Sequence, residues 1–494
     1  MKIYKLGQSI VIGERQTAIN NVAIAYLTNA ISIAYSDGGY TTEQKVLFTD
    51  ILDSGGLPVG SDKATVQAYF DTEIFSSAAA GGGADSKEAK QDVQIANQET
   101  MISQNKRFRF DQSGSLTVSQ RKVLASLVQH NGNLPLLYDR RNGGGATQTF
   151  QNNQVQMSVT GGTDYAVCQT FQYYEYFSGK PIRAEFTVTD FGIQANVEKS
   201  FGQYHDQGQA APYTTNFDGY RLHNDGTTHR IQIFRAGTTV LDLPRANWDD
   251  PLDGTGASGI TIDFDLFNIF IFDYLWLGGS GLRLFINIGG EIIPVHNYRH
   301  ANNADNVIFE DPEQPVRYEI RSTGGAGSMQ QICASVSLET GIDGFGKRYG
   351  IDRGDSFINA KVVGTQYALL GIRVSSSDYH TSVIIDKISA LAATADNFII
   401  SVLHNPTVAG DALVWTNLSN TAIDYCIPND TNTVTGGVKL YSGYVSSAGS
   451  LSEGLDNLLR LGTNLDGVAD QQFLVITPLG TNLDVFGSVI MKEV

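Results

Sequence analysis

The chain is short of cysteine, of charge and of long apolar runs, and each shortage removes a class of protein. Cys168, Cys333 and Cys426 are the only cysteines in 494 residues. They are odd in number, far apart and outside any Cys-x-x-Cys or Cys/His cluster, so neither a disulfide framework nor a zinc site is expected. Three small buried residues in a protein made in a reducing cytoplasm is the simpler reading. The longest apolar stretch, Ile269 to Leu277, is interrupted by Asp273 and falls far short of the roughly 20 residues of a membrane helix. Residues Met1 to Gln16 mix apolar and polar side chains closely, without a basic start and a continuous apolar core. They read as a strand and not as a secretion signal. Basic residues are scarce too: Lys and Arg number 34 against 51 Asp and Glu, a net charge of −17 with no basic run. Such a surface repels nucleic-acid backbones. Neither nucleic-acid binding nor membrane insertion is expected. The serine-hydrolase elbow, the zinc-protease helix motif and the phosphate-binding loop are all missing.

What is present points to β structure. Glycine, at 52, supplies the backbone angles of tight turns, while 22 Tyr and 24 Phe suit pleated, half-buried surfaces. A chain of this length needs roughly two to four cores. Residues 1–60 show period-two stretches at Ile10 and Ile12, at Val22, Ile24 and Tyr26, and at Ile31, Ile33 and Tyr35, with Asp37-Gly38-Gly39 as a turn. Ser61 and Asp62 then open a helix whose apolar face is Val66, Tyr69, Phe70 and Ile74. Ala78 to Gly83 is a hinge with nothing large enough to pack. The polar, helix-favouring run 86–102 carries a seam, Ala89, Val93, Ala96 and Thr100, with the 4-3-4 spacing of a parallel coiled coil. A plain tether is the alternative.

From Phe108 the pattern is β again, apart from Ser119 to Gln129, where Val123, Leu124, Leu127 and Val128 cluster at helical spacing. Tyr220 to Ile233, turning at Asn224-Asp225-Gly226, and Leu282 to Val295 read as hairpins. Ile260, Ile262, Phe264 and Leu266 alternate, and Phe267 to Leu277 suits a strand buried on both faces. Residues 107–342 therefore read as one jelly-roll-like or lectin-like sandwich. A glycine-rich boundary at 341–354 precedes a second sandwich, 343–494, with a short helix expected over Ser452 to Leu461. The fold class expected is mainly β: a small N-terminal β-rich unit with a helix, a linker helix, then two jelly-roll-like sandwiches.

Few constellations suggest chemistry. His296 and His300 sit four apart, but on a strand leaving a hairpin, which separates them. Asn247, Asp249, Asp250 and Asp253 surround Gly254-Thr255-Gly256 and match no calcium loop, so they read as turn formers. Asp263, Asp265 and Asp273 could supply a glycosidase pair, though Asp263 and Asp265 read better as the wet side of an alternating strand. Flat rings stack on sugars, and Tyr173, Tyr174, Tyr176 and Phe177 form the densest aromatic run. Tyr173 and Tyr174 are taken as the candidate glycan-binding pair, against the alternative of one aromatic face in the core. No catalytic residue, metal ligand or cofactor site is assigned.

Several ordered patches are distinctive: Trp248-Asp249-Asp250-Pro251-Leu252-Asp253-Gly254-Thr255-Gly256-Ala257-Ser258-Gly259, then Phe270 to Gly278, His296, His300-Ala301-Asn302 and Pro315 to Arg321. Asn405 to Gly410 and Thr433 to Gly437 extend the pattern. Together they resemble a family of large virion structural proteins of tailed bacteriophages and some large DNA viruses. The resemblance covers roughly residues 107–494. It implies a non-enzymatic virion protein, made in the host cytoplasm and displayed on the virion surface as a homotrimeric head or tail fibre or capsid projection. On that reading residues 1–80 anchor to other virion proteins, 81–106 form the stalk, and the sandwiches are displayed. A tail fibre recognising host surface glycans and a polysaccharide depolymerase are the alternatives.

Overall fold

The structure is a computed structural model. It describes residues 1–6, 9–18, 22–37, 40–75, 121–129, 132, 136–277, 281–339, 346–378, 380–447, 449–455 and 459–493. The chain is mainly β and divides into two compact units, Met1–Lys106 and Arg107–Val494. The hinge from Ala78 to Gly83 and the run bearing Ala89, Val93, Ala96 and Thr100 lie outside the described residues.

In the smaller unit, two three-stranded antiparallel sheets, Ile3–Leu6 with Ser9–Ile12 and Arg15–Ala18, and Val22–Tyr26 with Ala30–Asp37 and Tyr40–Leu47, share one core. A helix over Lys63–Tyr69 closes it. Asp62 caps that helix by accepting from Thr65 N at 3.0 Å, which satisfies one of the donors a helix start leaves open. A wider π turn, Phe70–Ile74, continues it. Val66, Phe70 and Ile74 are fully buried against Ile3, Ile31 and Phe48, and Tyr69 donates from its hydroxyl to Ile3 O at 2.8 Å. The apolar face read from spacing is the face that packs.

In the larger unit four antiparallel sheets form two sandwiches. The first pairs an eight-stranded sheet with a seven-stranded one. The seven strands run in the order Thr238–Pro244, His229–Arg235, Asp218–Asn224, Val197–His205, Val316–Ser322, Tyr165–Thr170, Tyr138–Gly143. Neighbours so distant in sequence are the crossovers of a jelly roll. Phe186 and Phe272 from the larger sheet meet Phe201, Tyr220 and Tyr318 from the smaller in a shared aromatic core, with Phe186 and Phe201 centroids 5.4 Å apart. The second sandwich is built on Val383–Ala392 paired with Leu483–Glu493, facing an eight-stranded sheet that contains Tyr367–Val374, Gln471–Pro478 and Phe398–His404.

Three local expectations are corrected. Residues Arg121–Val128 form a strand, not a helix. Pairing with Gly327–Glu339 satisfies its backbone and places Ala125 and Leu127 in the core, while Val123 stays 60% exposed. Ser450–Gly454 is likewise a strand. Leu455 N and Leu461 N donate to Asp386 O and Val383 O, so the chain on both sides of 456–458 is tied to a strand instead of coiling into a helix. Ile260 to Leu266 keeps its alternation of burial at Ile262 and Phe264 but forms no ladder beyond one bridge, at Thr261.

The two sandwiches meet along a polar seam. Leu465 N donates to Asp139 Oδ2 at 2.9 Å, Tyr213 OH to Asp466 Oδ1 at 2.9 Å, and Ser382 Oγ to Tyr173 O at 3.0 Å. Val167, Tyr213 and Leu465 add a small apolar cluster. Backbones approach so closely that a Cβ on Gly462 would lie 2.0 Å from Phe171 O.

Candidate ligand-binding cleft at the seam

After strand Tyr165–Thr170 the chain leaves the sheet, and Phe171 to Phe177 runs along the seam. Thr170 Oγ1 donates to Gln172 O at 2.8 Å, and Tyr174 N to Gln314 O at 3.3 Å, which fixes the path of the run. Its rings divide. Tyr173 and Tyr174 are each 2% exposed, the first edge-on to His205 at 5.3 Å and the second in the main core. Burial also pushes the Tyr174 phenol far up. The expected glycan platform of Tyr173 and Tyr174 is therefore corrected, since neither ring has a free face. Tyr176 and Phe177 are only half-buried. They line a cleft of about 450 Å³ together with Glu175 and Glu313 from the first sandwich and Lys347 and Glu493 from the second. The Tyr176 ring leans on Trp276 at 6.0 Å, and its hydroxyl accepts from Leu277 N at 3.0 Å.

The carboxyl groups of the cleft differ. Glu175 is ion-paired with Arg460. Glu493 Oε1 accepts from Ala422 N at 3.2 Å. Glu313 is pushed up to about 8, mainly by burial, with the charges of Glu175 and Glu493 adding to it. At neutral pH it is therefore mostly protonated and can donate a hydrogen bond. The segment bearing it is held by Asp218, fully buried, which accepts from Glu310 N, Asp311 N, Ala236 N and Gln314 Nε2 at 2.8 to 3.0 Å. Asp311 beside it is also pushed up to about 8 by burial. Its Oδ2 lies 3.6 Å from His380 Nδ1 and 3.8 Å from His205 Nε2. His205, pushed down to about 3 by burial, is neutral and accepts from Gln207 N at its Nδ1. That leaves the proton on Nε2 and disqualifies it as a metal ligand. Among the described residues no group of His, Cys, Asp and Glu could hold a metal ion.

The outward face of the seven-stranded sheet is closed by the chain itself. Arg317, fully buried, bonds Asp206, Glu319, Gln169 and the Tyr213 carbonyl, and Arg321 joins Glu319. Its guanidinium lies 5.0 Å from the Tyr204 ring. The two carboxylates respond oppositely. Glu319, between Arg317 and Arg321, is held down at about 2, whereas burial wins at Asp206, which has one arginine and feels Glu319, and raises it.

The other sequence candidates are accounted for locally. Asp250 accepts from Leu252 N and Ser258 N, and Asp253 from Thr255 N, as turn formers do. Asp249 pairs with His296 at 3.2 Å, while His300 bonds Asn306 O. Asp263 accepts from Asp265 N, Asp265 from Gly192 N, and Asp273 pairs with Arg283. Cys168 and Cys426 are buried and all three cysteines are free. Glu175, Glu313 and Glu493 were not singled out from sequence. Their convergence depends on a seam between segments far apart in the chain.

No family model matches this chain, and no curated protein matches it. Among solved structures, the carbohydrate recognition domain of Emp47p is matched over 46% of this chain and 100% of that one, at 12% identity and a TM-score of 0.30. The VIP36 exoplasmic/lumenal domain in its Ca²⁺/Man3GlcNAc-bound form gives 46% and 92%, at 12% identity and 0.31. A Bacillus licheniformis β-glucanase gives 44% and 99%, at 8% identity and 0.29. Likeness at this level assigns neither a family nor an activity.

Proposed function

We propose that the chain is a non-enzymatic display protein of a virion surface whose larger unit recognises carbohydrate in the seam cleft. The observation that carries the recognition half is the pairing of Tyr176 and Phe177 with carboxyl groups in one open cleft of about 450 Å³. Aromatic rings offer an apolar face to the C–H side of a sugar ring, while a few fixed polar groups orient its hydroxyls. Glu313, mostly protonated at neutral pH, adds a donor, and Glu175, paired with Arg460, adds an acceptor. The virion half rests on the sequence resemblance over 107–494 and on an N-terminal unit with its own core, suited to anchoring. A glycan array probed with the full chain tests the recognition half. Binding to a defined set of glycans is expected, with loss in Tyr176→Ala and Phe177→Ala and retention in Tyr444→Ala, a control on a ring 78% exposed elsewhere. Binding unaffected by either cleft substitution would sink the assignment to this cleft.

A second reading is a polysaccharide hydrolase. A protonated Glu313 within electrostatic reach of Glu175, which pairs with Arg460, resembles the split that acid–base cleavage of a glycosidic bond uses. Release of reducing ends from a bound polysaccharide, lost in Glu313→Gln, would establish it. Binding without release keeps the non-enzymatic reading.

A further inference from the structure

At one end of the first sandwich, the carbonyl oxygens of Asp190, Phe191 and Gly192 turn into the core, and an amine meets them. Lys199 is 0% exposed, and its Nζ donates to Asp190 O and, at 3.0 Å, to Gly192 O. Asn224 is also 0% exposed, and its Nδ2 donates to Phe191 O and Gly192 O, both at 2.9 Å. The two residues stand directly opposite each other in the antiparallel pairing of Val197–His205 with Asp218–Asn224. Their Cβ atoms are thus about 4.5–5.5 Å apart, and both side chains reach the same acceptor, Gly192 O. Amine and carboxamide are no farther apart than two hydrogen bonds to one atom. Phe191, Phe201, Phe264 and Phe270 are buried in the same core.

A lysine in this position is costly. Taking an ammonium out of water is strongly unfavourable unless a carboxylate pairs with it, and the hydrogen bonds of Lys199 Nζ go to carbonyls. Asp265 and Asp190 act on it only through their charge, and burial prevails, lowering the amine to about 8. At neutral pH about a tenth of it is then the neutral, nucleophilic form, against well under a hundredth for an ordinary lysine. Converting the amine to an amide would remove the buried charge while leaving an N–H for the carbonyls.

We propose that Lys199 and Asn224 become joined, after folding, by an intramolecular isopeptide bond. The neutral Lys199 Nζ attacks Asn224 Cγ, the new N–C bond forms, and the Cγ–Nδ2 bond breaks. The amine proton passes to the departing nitrogen, which leaves as ammonia. Amine and carboxamide give secondary amide and ammonia, with no oxidant or cofactor. The product ties two central strands of the seven-stranded sheet together beside the turn at Asp190 to Gly192, a lock suited to a domain displayed outside a cell.

The test is the intact mass of the full chain under denaturing conditions, followed by tryptic mapping. The expected mass is lower than the sequence mass by one ammonia. Trypsin should fail to cut after Lys199 and should yield a branched peptide joining it to Asn224. Lys199→Met and Asn224→Ala should each restore the full mass. The full sequence mass in the wild type, with cleavage after Lys199, overturns the proposal. So does ammonia loss that maps elsewhere, as to an imide at Asn142-Gly143.

Discussion

Arg317→Met removes the centre of the buried charge network while keeping most of the apolar stem. The guanidinium makes five hydrogen bonds, two of them to Glu319 Oε2 and one each to Gln169, Asp206 and the Tyr213 carbonyl. Glu319 keeps Arg321, but Asp206, 1% exposed, loses its ion pair. Breaking a buried pair from one side costs about 3–5 kcal/mol, because a desolvated charge is left behind. That is a large part of the roughly 5–15 kcal/mol that holds a typical domain. Urea unfolding of the larger unit, followed by circular dichroism, should show a loss of this size at neutral pH. The sign of its pH dependence is also set. Burial already raises Asp206, and without Arg317 its carboxyl rises further, so the mutant recovers stability as pH falls and Asp206 takes a proton. The gap between wild type and mutant should narrow at acid pH, and adding Asp206→Asn should recover part of it at neutral pH. A loss under about 1 kcal/mol, no more than an exposed ion pair gives, or one independent of pH, would refute the argument.

Further outcomes follow from the same geometry. Asp311 and Glu313 are pushed up to about 8. The stability they give is therefore complete below about pH 4, near the unfolded carboxylate value, and is lost as pH rises through about 8. Glu319, held at about 2, runs the other way and contributes above about pH 4. Melting temperature should therefore fall from mildly acid to mildly alkaline pH, and Asp311→Asn with Glu313→Gln should flatten that fall. Gly462→Ala forces a Cβ into the Phe171 backbone and should cost about 1–3 kcal/mol, read as a lower urea midpoint of the larger unit. Asp62→Ala should lower the smaller unit's melting transition by removing a helix cap, with the larger unit's transition unmoved in calorimetry.

Local features were legible in the sequence. The face Val66, Phe70 and Ile74 needs only helical spacing and a capping Asp62, and the hairpin through Asn224 to Gly226 needs only its turn. Arg121–Val128 was misread because its leucines and valines fit both periods. The deciding partner, Gly327–Glu339, lies some two hundred positions away. In Phe171 to Phe177 the sequence shows a dense aromatic run without saying which rings face out, because the run follows the seam instead of alternating in a ladder. The carboxyl side of the cleft was not legible, since Glu313 and Glu493 reach it only once both sandwiches have formed and docked.

The measurement closest to the central claim is a crystal structure of the larger unit with the best-bound oligosaccharide from the array. The account predicts sugar density against Tyr176 and Phe177, with hydroxyls in reach of Glu175 and Glu313. Sugar held elsewhere, with the cleft containing only solvent, would contradict it.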